Sequence, residues 1–263
     1  MYDPIDLLNK VTKEVIRIEG GEELRAYFRF RRDRWYGGIV TGDVIGCNLR
    51  CRFCWAYYFT WGLKLLKDKV MFLSPHEVAS RLIALARKYG LKQARLSGGE
   101  PTIGFNHMIK VTKELIENGV KVVIETNGLL IGMRKDYAKE LASFSNDGIE
   151  IRISIKGASP KEFELLTGAN GKYWWVQINA LENLVNYGLR PGDEVYPAVM
   201  LSFSNKESYE ELIKLLRSIS KEFVESLDEE YVIMYDHVKK LLRRYGLVPK
   251  KYFTPNNIPK EMI

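Results

Sequence analysis

Three cysteines are all the chain has, and Cys47, Cys51 and Cys54 stand together within residues 47–54. A disulfide framework favours an even, dispersed set in a secreted chain, whereas thiols packed this closely read as metal ligands. Their run, Cys47-Asn-Leu-Arg-Cys51-Arg-Phe-Cys54, has the spacing Cys-x3-Cys-x2-Cys. Thiolates are the usual ligands of iron–sulfur clusters. A cubane has four irons, so three cysteines leave one iron open, and an open metal position is where a substrate binds. The alternative is a zinc site of three cysteines and a histidine. His76, His107 and His237 are all remote from the loop, however, and paired-knuckle spacing is absent.

The elements that must position this loop read as a β/α alternation. A first strand is predicted at 39–45, running into the cysteines. A helix starts at Pro75 behind the capping box Ser74-Pro75-His76-Glu77. A strand at 94–97 ends in Gly98-Gly99-Glu100-Pro101, and one at 121–124 ends in Glu125-Thr-Asn127-Gly128. Helices are expected near 107–117, 135–143, 160–166, 174–187 and 206–219, with strands at 149–155 and 194–201 and a weakly signalled sixth strand at 223–227. Such alternation implies parallel pairing through right-handed crossovers, and the expected fold is an α/β, partial (β/α)6 barrel. Residues 36–228 form its core. An N-terminal extension (1–35) should hold a helix at 7–18, a Gly20-Gly21 break and a second short element. A C-terminal helix, at about 236–245, and a tail complete residues 229–263.

In the strand 149–155, Ile149, Ile151, Ile153 and Ile155 alternate with Glu150, Arg152, Ser154 and Lys156. Side chains alternate faces along a strand, so the isoleucines should face the helices while Arg152, Ser154 and Lys156 enter the lumen. A packed barrel interior prefers branched apolar residues, and a polar one implies a polar ligand. A half-exposed antiparallel strand is the alternative.

The 263 residues are 46% hydrophobic and 28% charged, enough for one large core and too polar for a membrane protein. No apolar run approaches the roughly 20 residues that span a bilayer, and the first residues lack a signal-peptide pattern; the chain reads as cytoplasmic. Its net charge of +7 is compatible with a polyanionic partner such as RNA. The arginine–aromatic stretch Arg25–Arg34 and the basic residues Lys239, Lys240, Arg243, Arg244, Lys250 and Lys251 would serve one. Gln93 and Gln177 are the sole glutamines among many Lys, Glu, Ile and Tyr, a thermophile-like bias that explains the excess lysine more simply. No P-loop, HExxH or GxSxG motif occurs.

The cysteine array with Phe53 before its last member, followed by Ser97-Gly98-Gly99-Glu100-Pro101 after the second strand, resembles the radical S-adenosylmethionine (SAM) superfamily over about residues 38–205. The resemblance implies a [4Fe–4S] cluster on Cys47, Cys51 and Cys54, with SAM chelating the fourth iron. Gly98 and Gly99 would let backbone approach the methionyl amine, Glu100 and Pro101 would shape that pocket, and Phe53 and Trp55 would lie near adenine. Glu125, Asn127 and Ser154 would bind ribose or the methionyl carboxylate. An electron from a ferredoxin or flavodoxin would cleave SAM to methionine and a 5′-deoxyadenosyl radical, which abstracts a substrate hydrogen. A finer similarity runs from Ser154 through Lys156 to Leu166-Thr167-Gly168. It looks like the glycyl-radical activases related to pyruvate formate-lyase activating enzyme, with Lys156 matching their lysine and Ser154 standing where they carry an acid. That similarity implies a protein glycine as substrate; an RNA- or tRNA-modifying enzyme is the alternative. Phe53-Cys54-Trp55 is also shared with wyosine-forming tRNA enzymes, but those have further cysteines for a second cluster, so wyosine chemistry is not expected.

Overall fold

The structure, a computed structural model, describes residues 1–61, 66 and 69–260; the end of the C-terminal tail, 261–263, lies outside them. Six parallel strands form the frame: β3 (Ile39–Val44), β5 (Gln93–Gly98), β6 (Lys121–Thr126), β7 (Ile149–Ile155), β8 (Val195–Met200) and β9 (Asp228–Glu230). Among the described residues β9 does not pair back to β3, so the barrel is partial and open. Helices α3 (Pro75–Tyr89), α4 (Phe105–Glu117), α8 (Lys172–Asn186) and α9 (Lys206–Ile219) are the long crossovers, with shorter α2 (Tyr57–Thr60), α5 (Leu129–Met133), α6 (Lys135–Ala142), α7 (Pro160–Thr167) and α10 (Glu222–Glu225) between them. The expected capping box at α3 is present, Ser74 and Glu77 bonding each other's backbone N–H.

β7 pairs in parallel with strands on both sides, which excludes the antiparallel alternative. Its four isoleucines are at most 2% exposed in the main core, against the crossover helices. Each such side chain contributes roughly 1.5–3 kcal/mol of burial. This pins the register, because a one-residue slip would exchange them for Arg152 and Ser154.

The N-terminal stretch departs from its expectation. Helix α1 (Pro4–Val15) stops three residues early. Ile16–Glu19 is strand β1, joined through Gly20 and Gly21, both at positive φ, to the long strand β2 (Glu22–Asp33). Two central residues at positive φ make the tight turn whose twist suits a hairpin. β2 pairs antiparallel with β3 and with the short β4 (Met71–Leu73), extending the sheet. The Arg25–Arg34 stretch is therefore a sheet strand and not a free basic arm. Arg25 is 1% exposed, and Arg29 and Arg31 are held by buried Asp43.

The sixth strand also moves. Residues 222–225 are helical, and the strand is Asp228-Glu229-Glu230. Three consecutive acids carry a weak strand propensity; tertiary pairing with the cations of β7 holds them. After β9, β10 (Val232–Ile233) pairs in parallel with β11 (Tyr252–Phe253), enclosing α11 (Asp236–Arg244). Among the described residues no helix is long and apolar enough to cross a membrane.

Candidate active site

At the C-terminal ends of the parallel strands opens a cavity of about 1120 Å³. That exceeds the roughly 300–1,000 Å³ that accommodates a single drug-sized ligand. Cys47, Cys51, Cys54, Phe53, Trp55, Gly98, Gly99, Glu100, Glu125, Asn127, Ser154 and Lys156 all lie on its wall. The structure thus brings together every candidate site residue except Pro101, which is buried behind the wall at the start of a short 3₁₀ turn.

The cysteine loop leaves β3 through Gly46, whose positive φ and contact with Val11 and Val15 of α1 leave no room for a side chain. The loop is anchored at its far side by Arg52, whose N–H donates to the Leu166 carbonyl at 2.8 Å and whose guanidinium donates to that of Leu165 at 2.7 Å. The glycine turn is strapped to the same loop. Gly99 N–H donates to Val44 O and Glu100 N–H to Gly46 O, both at 2.9 Å. A Cβ on Gly99 would sit 2.3 Å from Gly46 O, and one on Gly98 2.6 Å from the Phe59 ring. Close backbone packing between turn and loop is thus a sufficient reason for both glycines, beside the ligand approach the resemblance implies. Gly99→Ala should break both hydrogen bonds, cost about 2 kcal/mol or more and lower the melting temperature by roughly 4 °C or more. Melting curves with iron analysis check this; a fully stable, iron-loaded variant would contradict it.

Glu100, 2% exposed, braces the next strand. Its Oε1 accepts from Thr102 N–H at 3.1 Å, Thr102 Oγ1 at 2.6 Å and Thr126 Oγ1 at 2.7 Å; Oε2 accepts from Asn127 N–H at 2.8 Å. Asn127 in turn donates from Nδ2 to Asn48 Oδ1 at 2.8 Å, with Cys47 Sγ 3.8 Å away. A chain of bonds therefore links the glycine turn, the end of β6 and the first cysteine.

Below the cysteines the lumen is polar, as the alternation in β7 predicts. Glu125 accepts from Tyr36 OH at 2.7 Å and Arg95 at 2.8 Å on one oxygen and from Ser97 at 2.5 Å on the other. Arg95 also reaches Asp33 at 2.5 Å. Burial alone would raise the Glu125 carboxyl, but Arg95 and Arg152 outweigh it and hold it down at about 2. Across the lumen Arg152 donates to Asp228 and Glu230 at 2.8 Å each. Ser154 donates to Glu230 at 3.2 Å and accepts from Lys156, whose Nζ lies 3.9 Å from the same carboxylate. Sequence reasoning missed Tyr36, Arg95, Asp228 and Glu230. Arg95 alternates with apolar Ala94 and Leu96 and could have been found by the argument applied to β7. Glu230 supplies a carboxylate beside Ser154, where the activase pattern has its acid, from a strand no local signal placed. His237, remote from the cysteine loop in the sequence, lies on the cavity wall with Nε2 2.8 Å from the Trp55 carbonyl oxygen.

The buried ionisable groups set an acid limit on stability. His107, bonded to Tyr27 and the Glu23 carbonyl, is lowered by burial to about 4. A depressed histidine contributes stability present above its unfolded pKa near 6.5 and lost as pH falls through 4. Glu125 contributes stability present above its unfolded pKa near 4.5 and lost toward 2. Melting temperature should therefore fall in two stages between pH 7 and 2. His107→Gln should flatten the upper stage and Glu125→Gln the lower; unchanged profiles would refute the assignment.

The donor set fits an iron–sulfur cluster. The three thiols are free, and all face one cavity. Burial pushes Cys47 up to about 12, Cys51 higher still and Cys54 in the same direction. A bare thiolate is poorly stabilised here; iron supplies the missing positive charge, and its binding releases the protons. Asn48 Nδ2, buried in the loop with no partner among the described residues, is a spare donor for a sulfur acceptor. The zinc alternative needs a histidine as fourth ligand, and the histidines are engaged elsewhere: His107 with Tyr27 and the Glu23 carbonyl, and His237 with the Trp55 carbonyl. His76 pairs instead with Glu114 on the surface.

Residues 44–216 match the sequence model of the Radical SAM superfamily. The chain belongs to the radical SAM superfamily. Members use a [4Fe–4S] cluster and SAM, so the protein is an enzyme. A probable GTP 3′,8-cyclase of Thermococcus kodakarensis is 29% identical over 141 residues, 54% of this chain and 41% of that protein. A GTP 3′,8-cyclase of Haemophilus influenzae is 30% identical over 158 residues, 59% and 43% of the two chains. The matched part of the chain spans about two fifths of the length of these relatives. A solved structure of TYW1 with a lysine–pyruvate adduct bound is similar in fold, with a TM-score of 0.51 at 15% identity over 92% of this chain and 88% of that one. These curated relatives are named GTP 3′,8-cyclases and not glycyl-radical activases, so the similarity read from residues 154–168 finds no counterpart in their names.

Proposed function

We propose that this radical SAM enzyme takes a hydrogen atom from a small polar substrate held in the barrel lumen. The observation that carries the reading is one cavity whose wall carries both the three free cysteines and a set of paired, largely buried charges. The cofactors supply reductive cleavage of SAM to methionine and a 5′-deoxyadenosyl radical. Cys47, Cys51 and Cys54 hold the cluster. The turn from Gly98 to Glu100 would receive the methionyl group, and Phe53 and Trp55, on the same wall, would receive the adenine. Asn127 and Ser154 offer hydrogen bonds to SAM. Glu125, already accepting three bonds, positions Tyr36, Arg95 and Ser97. Lys156 faces the reacting region beside Ser154.

The similarities in the sequence imply a protein glycine or, as the alternative, an RNA nucleotide as substrate. A small, nucleotide-sized molecule is favoured. Phe253 and Ile258 of the C-terminal segment occupy part of the cavity wall and leave less room for a protein loop, and the curated relatives are named for GTP. Anaerobic reconstitution should give a brown protein with about four irons per chain that forms 5′-deoxyadenosine from SAM with dithionite. Deuterated nucleotides, GTP first, should pass deuterium into that product. No 5′-deoxyadenosine after full reconstitution overturns the radical reading. Deuterium transfer from a glycine-containing partner protein and from no small molecule overturns the substrate class.

A further inference from the structure

We propose that the outer face of α11 is the docking surface for a small, acidic electron-carrier protein. The inference rests on the radical reading above and adds where the electron enters. Residues 236–251 carry six cations, Lys239, Lys240, Arg243, Arg244, Lys250 and Lys251, and a single acid, Asp236. Val238 and Leu242 bury one face of α11 against Leu166, Met200 and Val232, and Leu241 is buried beside them. That packing turns Lys240, Arg243 and Arg244 outward, where all three are exposed. Among the described residues none of the three has an ion-pair partner; in this helix only Lys239 does, with Asp236. The cations of the lumen are different, since Arg95, Arg152 and Lys156 all face carboxylates.

The inner edge of the same helix lies on the cysteine loop. His237 reaches the Trp55 carbonyl, and its ring stands 5.2 Å from that of Tyr58. Just past the helix, Tyr245 carries the Arg52 guanidinium 4.6 Å over its ring and meets Trp61 edge-on. A protein seated on α11 is therefore separated from the loop that holds the cysteines by about one helix diameter, roughly 10 Å. Tyr58, 49% exposed and packed beside His237, lies where the patch meets the cavity wall and supplies the apolar contact that interfaces combine with a charged rim. An RNA substrate would also seek cations, but its reacting nucleotide must enter the cavity, and Lys240, Arg243 and Arg244 are not on the cavity wall. Position over the metal loop favours the electron carrier. In the step it serves, one electron leaves the reduced carrier for the cluster, the carrier is oxidised by one electron, and no bond forms or breaks. Opposite charge on the carrier accelerates encounter and makes it sensitive to salt.

The test uses the reconstituted full chain and the triple variant Lys240→Glu, Arg243→Glu, Arg244→Glu. With dithionite, a small reductant that needs no docking, both should form 5′-deoxyadenosine at rates within about twofold of each other. With a reduced acidic flavodoxin, the wild-type rate should fall as salt rises, and the variant should be about tenfold slower or worse at low salt. Calorimetric titration of the flavodoxin into each protein, which needs no turnover, should show binding lost in the variant. Equal flavodoxin-driven rates and equal binding overturn the proposal, as does loss of tRNA binding in the variant with flavodoxin binding intact. Failure of the wild type even with dithionite would instead strike the radical reading, and the titration would still decide the docking surface.

Discussion

Replacing Cys51 with alanine should yield a folded chain that cannot keep iron. Cys51 is 8% exposed and packs at the edge of the main core, so losing one sulfur costs about 1 kcal/mol. Two thiolates cannot hold a cubane whose three protein-bound irons each need one. Iron content should drop by roughly tenfold or more, and 5′-deoxyadenosine should fall to background, while circular dichroism and the melting temperature of the metal-free protein stay near wild type. The same result is expected for Cys47→Ala and Cys54→Ala. A Cys51→Ala protein that retains four irons and forms product would remove these cysteines from the cluster. One that fails to fold would leave the decision to Cys54→Ala, whose side chain is less buried.

The second large effect is expected at Glu100, and it separates SAM binding from cluster retention. The carboxylate takes four hydrogen bonds, from Thr102 twice, Thr126 and the Asn127 N–H. A glutamine is nearly the same size, yet it must turn an N–H₂ toward one of those donors. Keeping the amide oxygen toward the threonines leaves the Asn127 N–H facing another donor, at a cost of about 1–3 kcal/mol. Asn127 then loses the tether that holds it beside Cys47 and Asn48. Glu100→Gln should keep its iron, because the ligands are intact, but bind SAM about tenfold more weakly, equivalent to about 1.4 kcal/mol. The measurements are iron analysis and the change that SAM produces in the spectrum of the reduced cluster. Unchanged SAM affinity would refute the brace.

Some features of this protein follow from local rules. Residue type and spacing at Cys47, Cys51 and Cys54 imply the metal chemistry because ligand number is a property of the side chains. Alternation in β7 shows which side chains enter the lumen, because a strand has a period of two wherever it lies. The box at Ser74–Glu77 marks a helix start because its bonds span only three residues. Other features depend on contacts between segments far apart in the chain. The strand Asp228–Glu230 has poor intrinsic propensity and exists where Arg152 and Lys156 offset its charge, an interaction across some 75 residues that no local window contains. The Arg25–Arg34 stretch reads as a basic arm when its charges are counted alone. It is a sheet strand because Asp43 on β3 takes up two of its arginines and a glycine turn folds β1 back on it. Charge and polarity are legible in a sequence, but whether a charge meets water or another charge depends on what the fold places opposite it.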